Sequence, residues 1–373
     1  MHRRGFLPLL GAALAPAKTY RVAIAGATGR GDFGHDWDVA WNGIPGVEIV
    51  AVSDPDEQGR ARAAARSRAR RTYDGYRRMI EKEKPDIVTI CPRWLDQRVA
   101  MAEAAAEAGA HMLIEKPLAL SLEDADRIVS LAERHGVKVQ VGHTARVVPL
   151  TVRTRELVRR GELGVLLEMR ARGKEDKRAG GEDMMVLGTH CFDLMRYFAA
   201  DPQWVFASVY EKGRAVDRGM ARRATEPVGN VAGDDIAAMF RFHGGVPGYF
   251  GSKSSDVPRN GRFGVTLYGS KGMAYVPLTA VPGAPPYVMR DPSWAGAHWE
   301  RVEYPPGARA PSREETNALM AADLIEAIEK GREPVCSARD ARWTIEMVAG
   351  VYQSHFRGAP VRFPLEERRG AML

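Results

Sequence analysis

The chain has 373 residues, 45% of them hydrophobic and 27% charged; that is the balance of a soluble globular protein with room for two cores. Its net charge of +7 owes much to one run, Arg60 to Arg71, where no aromatic residue interleaves before Tyr73, so it reads as a solvated helix face and not a nucleic-acid surface. Three scattered cysteines, Cys91, Cys191 and Cys336, do not make a disulfide framework or a zinc site, and no metal is expected.

The first element is Arg3-Arg4-Gly5-Phe6-Leu7, a twin-arginine pattern, followed by an apolar run to Ala17 and the small residues Ala15-Pro16-Ala17. Residues 1–17 are expected to be an export signal that leaves Lys18 first, giving a periplasmic or secreted enzyme, cytoplasmic if the leader does not function. The run is too short to span a bilayer, so no membrane association is expected apart from export.

Short apolar runs and helical stretches then alternate. The expected strands are Tyr20–Ala25, Glu48–Ser53, Asp86–Cys91, His111–Ile114 and Lys138–Gly142. The helices between them are Asp36–Asn42, Glu57–Arg70, Tyr73–Lys82, Asp96–Ala108 and Leu122–His135. This repeat predicts a doubly wound parallel sheet, a Rossmann dinucleotide-binding domain over residues 18–146. Beyond it the pattern becomes α+β with a mostly antiparallel, open sheet over 147–373. Helices are expected at Leu150–Arg160 and Asp183–Ala199, and strands at Val165–Arg172, Gln203–Tyr210, Asp235–Phe242, Val246–Lys253, Gly264–Tyr268 and Met273–Val276. A long loop from Pro277 to Pro311 and the helices Thr316–Lys330 and Ala338–Phe356 complete the chain.

Two motifs carry chemistry. The turn Gly26-Ala27-Thr28-Gly29-Arg30-Gly31 follows the first strand; glycines there let the backbone approach a pyrophosphate, and the next helix would present free N–H groups to it. Ile114-Glu115-Lys116-Pro117 follows a later strand, where such a sheet holds the reactive end of a dinucleotide, and a lysine there can move a proton. Asp54 ends the second strand, in place to bind the adenosine ribose hydroxyls; this favours NAD, while Arg60 leaves room for NADP.

With Gly142-His143, Arg146, Gly188-x-His190-x-x-Asp193 and Leu267-Tyr268-Gly269-Ser270-Lys271-Gly272, these landmarks resemble the Gfo/Idh/MocA oxidoreductase family over essentially the whole mature chain. The resemblance implies an NAD(P)-dependent oxidoreductase acting on a carbon of a pyranose sugar or cyclitol, forming a homodimer or homotetramer through its C-terminal sheet. A glycoside hydrolase that transiently oxidises the sugar with bound NAD, and a non-catalytic nucleotide-binding sensor, stay open as alternatives. By the same resemblance the cofactor meets Gly26, Thr28, Gly29, Arg30, Gly31, Asp54, Pro92, Arg93, Glu115 and Lys116. Lys116 and His190 are the catalytic pair, and His143, Arg146, Lys174, Asp183 and His190 face the substrate.

Three departures stand out. Thr28 takes the place of the second glycine in the usual G-x-G-x-x-G frame, while Gly29-x-Gly31-x-x-Gly34 is a second literal match. No histidine follows Pro92, where the family often has one. Val186 stands four residues before His190 in place of an aspartate. Asp183, seven residues before His190, lies on the same face of an ideal helix, and it or Glu182 could enter the pocket or merely cap the helix.

Overall fold

The computed structural model describes residues 18–255, 262–278, 286–291, 293, 296–304 and 306–368; the expected export signal lies outside them. The chain forms two compact units. One comprises Met1–Ala119, Asp126–Thr144 and Tyr304–Arg339, the other Leu120–Ala125, Ala145–Glu303 and Asp340–Leu373, so the division is not a single break at residue 146.

In the first unit six strands, β1 (Tyr20–Ala25), β2 (Val47–Ser53), β3 (Arg71–Tyr73), β4 (Ile87–Ile90), β5 (His111–Ile114) and β6 (Val139–Val141), form a sheet in the order β3-β2-β1-β4-β5-β6. Every pairing is parallel. Val22, Ile24, Ile87, Met112 and Leu113 are fully buried, which explains the unbroken apolar runs: helices cover both faces of such a sheet. Those helices are α1 (Glu57–Ser67), α2 (Tyr76–Glu83), α3 (Arg98–Glu107) and α4 (Leu122–His135). The order in which successive strands are added reverses between β1 and β4, and the carboxyl ends there are where an α/β sheet takes its ligand.

Two elements of this unit differ from expectation. β3 is a short edge strand where the sequence read as a helix start. The helix expected over Asp36–Asn42 is a single 3-10 turn, Trp37–Val39. Gly34 (φ 63°) and Asp36 (φ 63°) before it are left-handed, which stops helical propagation. The indole N–H groups of Trp37 and Trp41 donate instead to Glu115 Oε2 (2.9 Å) and Thr89 Oγ1 (2.7 Å), so apolar periodicity here reports anchoring to the sheet.

The second unit holds α5 (Pro149–Arg159), β7 (Leu166–Arg172), α6 (Gly181–Asp183), α7 (Thr189–Ala199), β8 (Pro202–Glu211), β9 (Arg214–Ala215), β10 (Arg222–Arg223), β11 (Asn230–Val231), β12 (Asp235–Phe242), β13 (Pro247–Lys253), β14 (Gly264–Gly269), β15 (Met273–Pro277), β16 (Tyr287–Met289) and β17 (Glu300–Arg301). Its ten-stranded sheet runs β17-β16-β15-β14-β7-β13-β12-β8-β18, with β18 at Val361–Arg362 and β9 paired to β8. It is antiparallel except for β7 beside β13. β16 and β17 fall in the stretch expected to be loop; they are edge strands too short to show alternation in the sequence. The long helices α8 (Arg313–Lys330) and α9 (Ala338–Arg357) end the chain. α8, started by a Ser312/Glu315 capping box, belongs to the first unit, where Gln140 Nε2 donates to Asp323 Oδ2 (3.1 Å).

The helix expected over Asp183–Ala199 is not uniform. A π turn, Met184–Gly188, separates α6 from α7. On one face of the large sheet Phe192 of α7 packs between Phe240 and Phe250, ring centroids 5.4 and 4.8 Å away. The other face shows Phe206, Met239, Tyr249, Arg170, Thr266 and Tyr275 in register across six strands. Arg170 lies over the rings of Tyr249 and Tyr268, and Phe206 is 47% exposed.

Candidate active site

Gly26 follows β1, Asp54 follows β2, Pro92 lies two residues past β4, Glu115 and Lys116 follow β5, and His143 lies two past β6. The parallel topology therefore brings every first-unit candidate to one edge of one sheet, as the sequence reading required.

The glycine turn resolves the ambiguous frame. Gly29, Gly31 and Gly34 all have positive φ (77°, 90° and 63°), so the second frame carries the left-handed conformations that glycine tolerates. The turn is closed by Ala27 and Asp32, whose backbones bond in both directions (3.2 and 3.0 Å), and the Gly29 N–H donates to Asp32 Oδ1 (2.9 Å). A side chain at Gly26 would collide with the Phe33 ring, and one at Gly31 with the Arg93 backbone, but the space beside Gly29 is open. That open space leaves room for a pyrophosphate, but no helix of useful length follows, and the Thr28, Gly29 and Arg30 N–H groups are engaged by Asp54, Asp32 and the Ala27 carbonyl, so the array of free N–H groups expected from a helix N-terminus is not formed. Arg30, expected to touch the cofactor, pairs with Asp96 and lies over the Trp94 ring at 4.5 Å.

Asp54 is fully buried. Its carboxylate accepts from the Thr28 N–H (3.0 and 3.1 Å), the Thr28 hydroxyl (2.7 Å) and the Asp56 N–H (2.9 Å). Thr28, the residue in place of glycine, thus latches onto the acid expected to hold the ribose. Beside them a cavity of about 350 Å³ is lined by Thr28, Phe33, Gly59, Arg62, Arg66 and Asp38, among others. It is roomy enough for part of a nucleotide.

Lys116 is nearly buried, and Glu115 before it is sealed from water. Glu115 accepts from the Lys116 N–H (2.9 Å) and the Trp37 indole, and meets His35 Nδ1. Gly34 and Gly142 leave room for its side chain. Burial alone would raise this carboxyl, but the His35 charge and hydrogen bond, the Lys116 charge and the Trp37 N–H outweigh it and hold the group at about 2. Pro117 follows through a cis peptide. On the other side Arg98 donates to the carbonyls of Pro92 (2.6 Å), Glu115 and Pro117 (3.1 Å). His35, Trp37 and Arg98 were not anticipated; Arg98 reads as a first-turn surface cation, and nothing local in the sequence marks it.

In the second unit His190 is half-buried on α7. Asp183 is fully buried, accepting from the backbones of Lys174 (3.2 Å) and Glu175 (3.1 Å) and from Ser252 Oγ (2.6 Å); burial raises its pKa. The π turn takes up an extra residue between Asp183 and His190, so the seven-residue spacing no longer returns to one face. Glu182 is likewise buried, accepting from the Thr225 and Glu226 backbones (3.0 Å each). These acids brace loops, their oxygens taken by backbone N–H groups and by the Ser252 and Thr225 hydroxyls. Arg146, expected to reach sugar hydroxyls, makes a buried two-point ion pair with Asp193 (2.9 and 2.8 Å). Lys174 Nζ lies 3.4 Å from Asp176. His143, in the first unit, is fully buried.

A parallel sheet with a glycine turn and a buried lysine at its carboxyl edge defines a dinucleotide-dependent oxidoreductase. The chain belongs to the Gfo/Idh/MocA family: the family described as oxidoreductase, NAD-binding Rossmann fold, matches residues 20–143, and its GFO/IDH/MocA C-terminal domain matches residues 151–275. It is 26% identical to D-apiose dehydrogenase of Paraburkholderia graminis, over 95% of this chain and 92% of that one. Its fold is similar to levoglucosan dehydrogenase in complex with NADH and levoglucosan (TM-score 0.74, 19% identity, 92% of this chain and 99% of that one). It is also similar to aldose-aldose oxidoreductase from Caulobacter crescentus complexed with glycerol (TM-score 0.72, 20% identity, 93% of this chain and 100% of that one).

Glu115 generates a pH prediction. Its folded pKa of about 2 lies below the roughly 4.3 of an unfolded glutamate. Its contribution to stability is therefore present above pH ~4.3 and fades as the pH falls towards 2. Glu115→Gln should lower the urea midpoint at pH 7 and shrink the loss between pH 7 and pH 3. An unchanged pH dependence would show that the carboxylate is not held in this way.

Proposed function

We propose that the protein oxidises a carbinol carbon of a sugar or cyclitol, or reduces the corresponding ketone, with Lys116 as the acid/base. The observation that carries this reading is the placement of Lys116: nearly buried, immediately after β5, with its backbone fixed on both sides at the sheet edge that bears the glycine turn. NAD, when bound, supplies the hydride acceptor or donor. Oxidation also requires the hydroxyl proton to leave, and a positioned amine can take it. The open space beside Gly29 would hold the phosphates. In the second unit we assign His190 and Lys174 to hydroxyl groups of the substrate. Sugar as the substrate class is supported by the names of the relatives, D-apiose dehydrogenase and levoglucosan dehydrogenase.

With trial sugars including D-apiose and levoglucosan, Lys116→Ala should reduce NADH formation roughly a hundredfold or more and leave NAD affinity nearly unchanged. His190→Ala should cost less turnover and more substrate affinity. Near-normal turnover in Lys116→Ala removes the lysine from the chemistry.

We also propose that a second copy of the chain covers the open face of the large sheet. Support comes from the in-register row of large side chains and from Phe206 and Tyr210 on β8, 47% and 40% exposed; exposed apolar area of this kind marks an interface. Sedimentation should show a dimer or tetramer that dissociates in the double variant Phe206→Lys, Tyr210→Lys. A wild-type monomer refutes this.

Export is the third element of the reading, carried by Arg3-Arg4 ahead of an apolar run. Replacing both arginines by lysine should keep the full-length protein in the cytoplasm; shortened periplasmic protein from that variant would count against twin-arginine export.

A further inference from the structure

We propose that Thr28 is a specificity-determining residue of the nucleotide site: its side chain covers Asp54, so the site does not reject a nucleotide with a phosphate on the adenosine ribose. The inference rests on the reading of this sheet edge as a dinucleotide site. An acid at the end of the second strand selects NAD by accepting from the ribose hydroxyls and disfavouring a 2′-phosphate. That task needs acceptor positions turned to the ligand, and Asp54 does not offer them. It is fully buried. Oδ1 accepts from the N–H groups of Thr28 (3.1 Å) and Asp56 (2.9 Å), and Oδ2 from the Thr28 N–H (3.0 Å) and hydroxyl (2.7 Å). A carboxylate has about four acceptor positions, and these contacts take them up. The Thr28 hydroxyl stands on Oδ2 as a ribose hydroxyl would.

The chain makes room for this cover. Gly59 lies inside α1, where a glycine is not needed for backbone conformation. A Cβ there would collide with Thr28 Oγ1 and stand 3.1 Å from Asp54 Oδ2, so Gly59 supplies space. Thr28 and Gly59 line the cavity of about 350 Å³, and Asp54 does not. Of the charged groups that line it, Asp36 is paired with Arg66 (2.8 Å) and Arg313 (3.1 Å), Asp38 with Arg66 (3.2 Å), and Asp32 accepts from the Gly29 N–H. Arg62, on α1 beyond Gly59, is exposed and makes no hydrogen bond or ion pair among the described residues. It is the cation open to a 2′-phosphate. Arg60, which the sequence offered for that part, donates to the Asp54 carbonyl instead (2.6 Å).

The test needs no substrate. Titration calorimetry of the purified, nucleotide-free protein with NAD and with NADP, at one ionic strength, gives the ratio of the two dissociation constants. The wild type should bind them within about tenfold of each other. Thr28→Gly uncovers Asp54 and should shift the ratio towards NAD by roughly a further tenfold, the effect of one hydrogen bond to a charged group. A looser turn in that variant weakens both nucleotides alike and cancels in the ratio. Thr28→Ser keeps the hydroxyl and should keep the wild-type ratio. Arg62→Ala should weaken NADP and leave NAD nearly unchanged; NADP affinity equal to that of the wild type removes Arg62 from the site. Circular dichroism first establishes that each variant is folded, and Thr28→Ala replaces Thr28→Gly, with the same expected direction, if that variant is not. A wild type that already prefers NAD by more than about tenfold, or a ratio unmoved in the folded variant without the hydroxyl, overturns the proposal and leaves the dinucleotide site standing. Binding of neither nucleotide by the wild type overturns both.

Discussion

The carboxylate of Glu115, sealed from water at the edge of a parallel sheet, is the constraint on which the first unit's architecture turns. A buried charge must be fully hydrogen-bonded or it will neutralise. Here His35, the Trp37 indole and the Lys116 amide meet that demand. To deliver His35 and Trp37, the chain after β1 abandons the expected helix for a loop with left-handed residues at Gly34 and Asp36. To leave space for the side chain, Gly34 and Gly142 lack a Cβ. One charged group thus shapes the loop after β1 and fixes the lysine beside it.

The same logic recurs in the second unit. Asp183 and Glu182, acids at the start of a helix, are turned inward and tied to backbone N–H groups of neighbouring loops. Arg146 is held by Asp193 and by Asp340. Groups that would be poised for substrate if exposed instead brace the backbone, Asp183 that of Lys174 and Glu175 among them. A buried acid whose oxygens are already engaged has little left to offer a sugar hydroxyl. With these acids engaged elsewhere, the proposed proton chemistry falls to Lys116.

Thr28 shows how a one-residue departure acts at a distance. In a glycine's place it offers a hydroxyl as well as an N–H, and Asp54 accepts both. The acid stays where the motif puts it, at the end of β2, but faces the turn. Motif position was legible in the sequence; side-chain direction was not.

The parallel sheet, five of its six strands to within a residue or two, the α+β second half and the edge that carries the candidate residues were readable from the chain, because each of those five strands is a short apolar run and each motif falls just past a strand end; β3, Arg71-Thr72-Tyr73, carries no such run. Those are local properties, set by period and by turn chemistry. What only the tertiary structure decided depends on partners distant in sequence. Arg98 meets Glu115 and Pro117 across two strands, Trp37 meets Glu115 across three, and α8 joins the first unit from nearly two hundred residues away. The 3-10 turn and the π turn are likewise invisible to a 3.6-residue period, since both break it to satisfy groups elsewhere. The sequence determined which edge of the sheet carries the candidate residues and which lysine stands on it; folding decided which groups surround that edge, because burial and hydrogen bonding belong to the assembled neighbourhood and not to the run of residues.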